Sequence, residues 1–454
     1  MTFPYPAEEV ILRAKPKVTT ALVLTNVAVY ALTSLDYSFL QVSDQWLWWG
    51  AFIPAYLSNW RQAYRILTSM FLHANIAHIF FNMLFLYNFG RQVEATLGGK
   101  RYLLLYFGSG LAAEVFHTAF IPIEGPLSAV TPAIGASGAI SGVLGAYLLL
   151  FPGSRLSMCF FYLLFPICIT TNAAAYLIFW FAMQVLQGYA GASAGVAVFA
   201  HAGGFLGGIA MLPYVIDRHR HRLLRSLTAS RRALKYLFLG HAGLSLLSKF
   251  ILIILIAATA AGGVYSAFSS HVLEVPIKVL LFKVEYRTCE LGGVSCVDGY
   301  DEDIVILKVD GEPQPATQIT TSSVRILYNR LNAIGALYDR FYAGTSKAIE
   351  WSGARRIMGV NVAIDVKMNV IYDENGIIEQ SKGTLQTDVL TCTASTCTMG
   401  GTGTYTFDIN SLYSRRRLEA LSSIVTLLSI VSLLACIVSI DNVVRKSHEL
   451  EIVA

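Results

Sequence analysis

The sequence predicts an all-α polytopic membrane protein: a six-helix core plus two additional transmembrane helices, with an inserted β-rich extracytoplasmic domain. Three observations predict it. Hydrophobic residues make up 55% of the 454 positions and charged residues 14%, with a mean hydropathy of +0.55, which is too apolar for a soluble globule. Apolar segments of bilayer length recur along the chain. One long polar block, 269–413, lies between the last two and alternates as strands do.

Six spans are expected near 17–35, 70–90, 102–122, 137–152, 172–188 and 198–216. Each is near the roughly 17–25 residues a bilayer requires, the fourth and fifth at the short end. The apolar stretch 153–171 reads as a re-entrant or interfacial segment. Basic residues set the orientation. Arg13, Lys15 and Lys17 precede the first span; Arg91, Lys100 and Arg101 lie between the second and third; Arg155 lies between the fourth and fifth. Arg218, Arg220, Arg222, Arg225, Arg231, Arg232 and Lys235 follow the sixth, whereas 123–136 and 189–197 contain no Lys or Arg. Both ends of the six-span unit therefore face the cytoplasm. The N-terminus shows no removable signal peptide, so the first span doubles as the insertion signal.

Residues 217–250 read as a basic cytoplasmic linker, 251–268 as a seventh span, and 414–454 as an eighth span (near 418–440) with a cytoplasmic tail. The block between them carries runs such as Val305–Val309 and Val360–Val366, with turn signals at Asp310-Gly311, Glu374-Asn375-Gly376 and Gly400-Gly401. A helical stretch near 321–348 interrupts the strands. Arg415, Arg416 and Arg417 sit on the outer side of the eighth span, against the positive-inside tendency, which binds long translocated domains less.

Cys159, Cys168 and Cys436 lie in apolar segments as small packing residues. Cys289 with Cys296, and Cys392 with Cys397, form two close pairs in the outer block, where local disulfides are expected. Zinc is the competing reading, but the only histidine of the region is His271, well before the first pair. Cross-pairing between the two sets stays open.

Polar groups on apolar segments are costly and mark function by default. The second span holds His73, His78 and Asn82; the fourth begins at Gly135-Ala136-Ser137-Gly138; the sixth carries His201 ahead of Gly204 and Gly208. All three spans enter from the outer face. At 1.5 Å per residue His78 lies about 7 Å below His73 and Asn82 about 13 Å. Ser137, His201 and His78 thus converge in the outer part of the bilayer, and His78 and Asn82 share one helix face. Gly138 and Gly142, like Gly204 and Gly208, have the small-xxx-small spacing that lets helix backbones approach, which brings Ser137 within reach of His201. A serine hydroxyl is a poor nucleophile until a base takes its proton, and His201 is suited to that. The resulting oxyanion needs donors, which His78, the Asn82 amide and the Ser137 backbone N–H could supply. No Asp or Glu is placed to orient His201, so the arrangement is a Ser–His dyad rather than a triad. The small residues of 189–197 suit a lid above a wet pocket. Together these groups point to peptide-bond cleavage.

The motifs His73-x4-His78-x3-Asn82, Gly135-x-Ser137-Gly138 and Ala200-His201-x2-Gly204-x3-Gly208 resemble those of rhomboid intramembrane serine proteases. Tyr64-Arg65 resembles the family's Trp-Arg pair, with Tyr replacing Trp, and Glu94 and Gly98 fit its Glu-x3-Gly pattern. The resemblance covers 15–216. It implies a rhomboid-like six-span core over 1–216, with Ser137 as nucleophile, His201 as base, His78 and Asn82 as oxyanion donors, and structural roles for Arg65 and Glu94. It further implies cleavage of single-span membrane proteins near the outer face, with no metal or organic cofactor. Many members carry an aromatic residue four positions after the serine, stacked on the base. Here that position is Ser141, so His201 must be held differently. Residues 217–454 lie outside the resemblance.

Other readings compete. A lone Gly-x-Ser-Gly in an apolar helix is ordinarily packing. A non-catalytic rhomboid-like protein that captures membrane clients explains the same fold, but gives no reason to keep both Ser137 and His201. A transporter lacks support, since no pair of interrupted helices recurs in two halves. Nucleic-acid binding lacks a basic stripe with interleaved aromatics. His73 reads as a loop or interface residue, His241 as a surface histidine, and His219 and His221 as part of a solvated basic run. Glu114, inside the third span, faces the bundle or a water-filled pocket. The outer domain's role, whether recruiting substrate, binding a cell-surface partner or gating access, stays open.

Overall fold

The computed structural model describes residues 3–6, 16–162, 165–191, 196–229, 243–270, 277–290, 295–308, 314–315, 319, 321–357, 359–392, 397–411 and 415–452. Arg13, Lys15, residues 192–195 of the expected lid, Arg231, Arg232, Lys235, His241, His271 and the Asp310-Gly311 turn lie outside them, as do the side chains of Cys159, Cys168, Cys392 and Arg415–Arg417. The chain divides into two compact units, Met1–Leu273 with Glu419–Ala454, and Glu274–Leu418.

The first unit is mainly helical: α1 (Lys17–Thr33), α2 (Ile76–Leu97), α3 (Gly99–Ala119), α4 (Ser137–Leu150), α5 (Ala173–Tyr189), α6 (Val198–Val215), α7 (Arg218–Leu227) and α8 (Leu246–Ser269), closed by the part from Glu419 onward of a C-terminal helix, Arg415–Asp441. By length and composition, α6, α8 and the stretch Leu421–Leu450 are helices able to cross a membrane; α1 and α4 are shorter apolar helices. α2 begins later than the sequence suggests. The Asn75 side chain accepts from the His78 N–H (2.9 Å) and caps the helix there, so 70–75 stay in the preceding loop and His73 stands outside the helix. The helix then runs on through Arg91 and Glu94 to Leu97.

Glu94 ties α2 to α1. Its Oε1 accepts from Val18 N–H (2.9 Å), and its Oε2 accepts from Thr19 N–H (2.8 Å) and the Thr19 hydroxyl (2.7 Å), satisfying donors that the first turn of α1 leaves open. α4 and α6 pack backbone to backbone. A methyl group at Gly204 would overlap the Gly138 carbonyl, and one at Gly208 the Gly142 carbonyl, so these positions require glycine for contact at this distance.

The added helices hold the core by polar contacts. Tyr189 OH donates to Ala258 O on α8 (2.6 Å). From the C-terminal helix, Ser429 and Ser439 donate to the carbonyls of Ala119 (3.3 Å) and Leu206 (3.1 Å). The chain end reaches α4, where Ile452 N–H donates to Leu150 O (2.7 Å). His221, expected in a solvated run, is instead buried with Nε2 2.9 Å from Leu450 O. It shares the inward face of α7 with Leu224, three residues on, while His219 stays exposed.

The stretch 153–171 forms a hairpin, β2 (Arg155–Tyr162) and β3 (Phe165–Asn172), with β1 (Phe3–Pro6) paired to β2. Its β-branched and aromatic residues favour strand pairing over a re-entrant helix.

The second unit is an antiparallel sheet of order β6-β5-β4-β10-β9-β8-β7. Its strands are β4 (Ile277–Glu290), β5 (Cys296–Lys308), β6 (Gln314–Pro315), β7 (Ser346–Ile357), β8 (Val360–Tyr372), β9 (Ile378–Cys392) and β10 (Cys397–Ser411). β8 turns Val362, Ile364, Val366, Met368 and Val370 inward, where α9 (Ser322–Ala333) meets the sheet with Val324, Leu327, Tyr328 and Leu331. This helix is shorter than the 321–348 stretch expected. Gly335 adopts φ +71°, its N–H returns to Asn332 O, and Ala336 N–H returns to Leu331 O, which stops the helix. The expected turn at Gly376 is present, with φ +77°. The Gly400-Gly401 pair instead lies within β10, at a register shift between Met399 and Gly401. Cys289 on β4 is bonded to Cys296 on β5. Cys397 is also disulfide-bonded, and its register partner across β9–β10 is Cys392.

Candidate active site

Ser137 opens α4, and the turn before it is held from several sides. Gly135 takes φ +122°, a backbone region that side chains disfavour. Its N–H donates to Ser69 O (2.9 Å), and the Ser69 hydroxyl donates to Glu114 Oε1 (3.2 Å). The carboxyl group inside α3 thus buttresses the serine turn. Ala136 N–H donates to His73 Nε2 (3.4 Å), while His73 Nδ1 faces Phe71 O at 3.3 Å. His73 is fully buried and meets His78 edge to face, 5.2 Å between ring centroids. It acts as a brace for the turn.

His78 Nδ1 accepts from Ala74 N–H (3.3 Å), which leaves the proton of the neutral ring on Nε2. That edge faces the serine turn: a Cβ built at Gly135 would lie 2.9 Å from His78 Cε1 and Nε2 and 3.5 Å from Ser137 Oγ. Asn82, one turn further along α2, donates through Nδ2 to His78 O (2.9 Å).

His201 reaches across from α6. Its Nε2 lies 2.8 Å from Ser137 Oγ. Its Nδ1 lies 2.9 Å from Gln184 Oε1 on α5. Trp180, one turn earlier on α5, tilts its ring at 34° to the imidazole with centroids 6.2 Å apart. At the position where an aromatic residue is expected, the Ser141 hydroxyl instead donates to Ser137 O (2.7 Å). The imidazole is therefore held from α5 rather than from α4. Sequence reasoning missed Gln184. The available signal was an amide on an apolar segment, the same reason that singled out Asn82.

Asn82, Ser137, Gln184 and His201 line one cavity of about 240 Å³, whose remaining wall is largely apolar and includes Phe81 and Trp180. Val196, at the end of the expected lid, also borders it. Among the described residues, no group of three or more His, Cys, Asp and Glu side chains is placed to hold a metal ion. Arg65 stands apart from the cavity. It donates to Ala51 O (3.0 Å) and Gln62 Oε1 (2.6 Å), with its guanidinium 4.7 Å from the centre of the Tyr56 ring, and so pins the loop between α1 and α2.

Residues 60–218 match the family model for the Rhomboid domain. The chain is 28% identical over 215 residues to Rhomboid protein 1, mitochondrial, of Saccharomyces cerevisiae, covering 45% of this chain and 56% of that protein. It is 41% identical over 85 residues to Rhomboid protease GluP of Bacillus subtilis, covering 19% of this chain and 15% of that protein. It is 29% identical over 157 residues to RHOMBOID-like protein 12, mitochondrial, of Arabidopsis thaliana, covering 32% and 44%. The chain thus spans about half the length of the first relative and less of the other two. On its helical core and these matches, the chain carries a Rhomboid domain at residues 60–218 and is similar there to proteins of the rhomboid family.

Proposed function

We propose that this protein is an intramembrane serine endopeptidase in which Ser137 attacks the scissile carbonyl and His201 takes its proton. The observation that carries this reading is the 2.8 Å approach of His201 Nε2 to Ser137 Oγ, made between two helices whose glycines permit it. As Ser137 Oγ bonds to the carbonyl carbon, its proton passes to His201 Nε2 and the carbonyl oxygen becomes an oxyanion. His78 Nε2–H, the Asn82 amide and the free N–H groups of the first turn of α4 supply donors to it. His201 then gives the proton to the leaving amine, and water, activated by the same imidazole, releases the acyl group.

The substrates are single-span membrane proteins whose helix unwinds near the outer face; small residues or Pro in that helix weaken it. Six spans, α1 to α6, build this site, with α8 and the C-terminal helix as two more. The N-terminus is cytoplasmic in this reading, and 269–413 form an extracytoplasmic domain. A fluorescent transmembrane peptide tests it in the purified protein. Ser137→Ala abolishes cleavage and labelling by a serine-reactive fluorophosphonate while leaving thermal stability intact. Wild-type protein that binds such peptides without cleaving them, and that escapes the probe, would instead be a rhomboid-like client-binding protein.

A further inference from the structure

We propose that Gln184 is the positioning residue of the His201 base, and that its side-chain oxygen selects the ring tautomer that can accept the Ser137 proton. The inference rests on the protease reading and goes beyond it, since none of the three sequence motifs lies on α5. The imidazole makes two contacts on opposite sides: Nε2 with Ser137 Oγ at 2.8 Å and Nδ1 with Gln184 Oε1 at 2.9 Å. An amide oxygen has no proton to give, so Nδ1 must carry one. In the neutral ring Nε2 then presents its lone pair to the serine hydroxyl. The other tautomer would point an N–H at Ser137 and leave the hydroxyl without a base.

Gln184 is itself well placed to hold this arrangement. It is 8% exposed, and it lies one helical turn from Trp180, so both side chains meet the same imidazole from one face of α5. The contact also strengthens as reaction proceeds. When Nε2 takes the serine proton the ring becomes cationic, and the Nδ1–H to oxygen bond becomes charge-assisted. It therefore stabilises the transition state more than the ground state. A neutral amide does this less than a carboxylate would, and unlike a carboxylate it can rotate to offer its N–H₂ group instead.

The test uses the purified full-length protein and a fluorescent transmembrane peptide. Gln184→Leu lowers kcat by about 10- to 100-fold with little change in KM, the loss expected for one charge-assisted hydrogen bond made in the transition state. Gln184→Glu restores most of the rate, because it keeps the acceptor. Its acid limb moves to higher pH, because a carboxylate favours the protonated ring; His78 and His117, the other titratable groups whose charges act on His201, are unchanged in both variants. A Gln184→Leu enzyme with wild-type kcat, or a folded Gln184→Glu enzyme as slow as Gln184→Leu with no shift of the acid limb, would overturn the proposal. A nitrogen-15 spectrum of ring-labelled histidine, assigned with His201→Gln, separates this from failure of the protease reading. A wild-type His201 ring protonated on Nε2 refutes the role of Gln184 whether or not the protein cleaves peptides. A ring protonated on Nδ1 that moves in Gln184→Leu supports it.

Discussion

The Asn442 side-chain amide lies 3.1 Å from the Ile209 carbonyl oxygen, the acceptor that Pro213 leaves open in α6. A proline inside a helix cannot donate to the residue four positions earlier. Asn442 Nδ2 supplies the missing donor and also reaches Ala210 O at 3.1 Å. The helix that carries His201 is thus completed by a side chain from the end of the chain, in the π-helical turn Asn442–Lys446. Asn442→Ala should cost about 1–3 kcal/mol, because it orphans a buried carbonyl. In a Pro213→Ala background, where a backbone N–H returns, the same substitution should cost measurably less. Thermal unfolding of the four proteins of this cycle checks it, and strictly additive effects would show that the two residues act independently.

The approach of α4 and α6 makes a second prediction. Gly208 leaves no room for a methyl group against the Gly142 carbonyl, and backbone cannot rotate away as a side chain can. Gly208→Ala should therefore separate the helices, cost about 1–3 kcal/mol or more, and slow cleavage by more than the loss of folded protein explains. Normalising turnover to folded protein distinguishes the two contributions. A variant with wild-type melting and turnover would mean that the helices accommodate the methyl group freely.

Much of this geometry is legible in the sequence because membrane helices combine few signals. Ser137, His78, Asn82 and His201 stand out as polar groups on apolar segments, and the glycine spacing says which backbones approach. Gln184 obeys the same rule but belongs to none of the three motifs, so composition alone does not separate it from a packing residue. The start of α2 depended on the Asn75 cap rather than on hydropathy. Short apolar runs such as 153–171 have no period that tells a strand from a buried helix, and there the pairing partner decides. The Asn442–Ile209 contact joins residues 233 apart in sequence, which no local pattern encodes.

Glu94 offers a third test. Its two carboxylate oxygens accept three donors from the first turn of α1, and the side chain is buried. Glu94→Gln keeps one acceptor oxygen but turns an N–H₂ group toward a backbone N–H. The expected loss is about 1–3 kcal/mol, the cost of an unsatisfied buried group, seen as a lower melting temperature in detergent. Unchanged melting would mean that solvent replaces the lost acceptor.

Asp217 makes the last prediction, on pH. It caps α7, with Oδ1 accepting from the N–H groups of His219 and Arg220 at 3.0 Å each, and Oδ2 lies 3.1 Å from Arg101 Nη1. The hydrogen bond from the Arg220 backbone, aided by the charges of Arg101 and Arg220, holds its carboxyl below the usual carboxylate range. A depressed folded value fixes the sign. The cap's stabilisation is complete above the unfolded-state value, near ~3.9 for Asp, and is lost as pH falls through the folded one. Because the carboxylate is partly exposed to solvent, the effect is local and small. The His219 and Arg220 amides should therefore be protected from hydrogen exchange near neutral pH, and their protection factors should fall in acid. Asp217→Asn keeps an acceptor but has nothing to protonate, so its protection should be lower and flat with pH. An equal loss of protection in acid for both proteins would place the titrating group elsewhere.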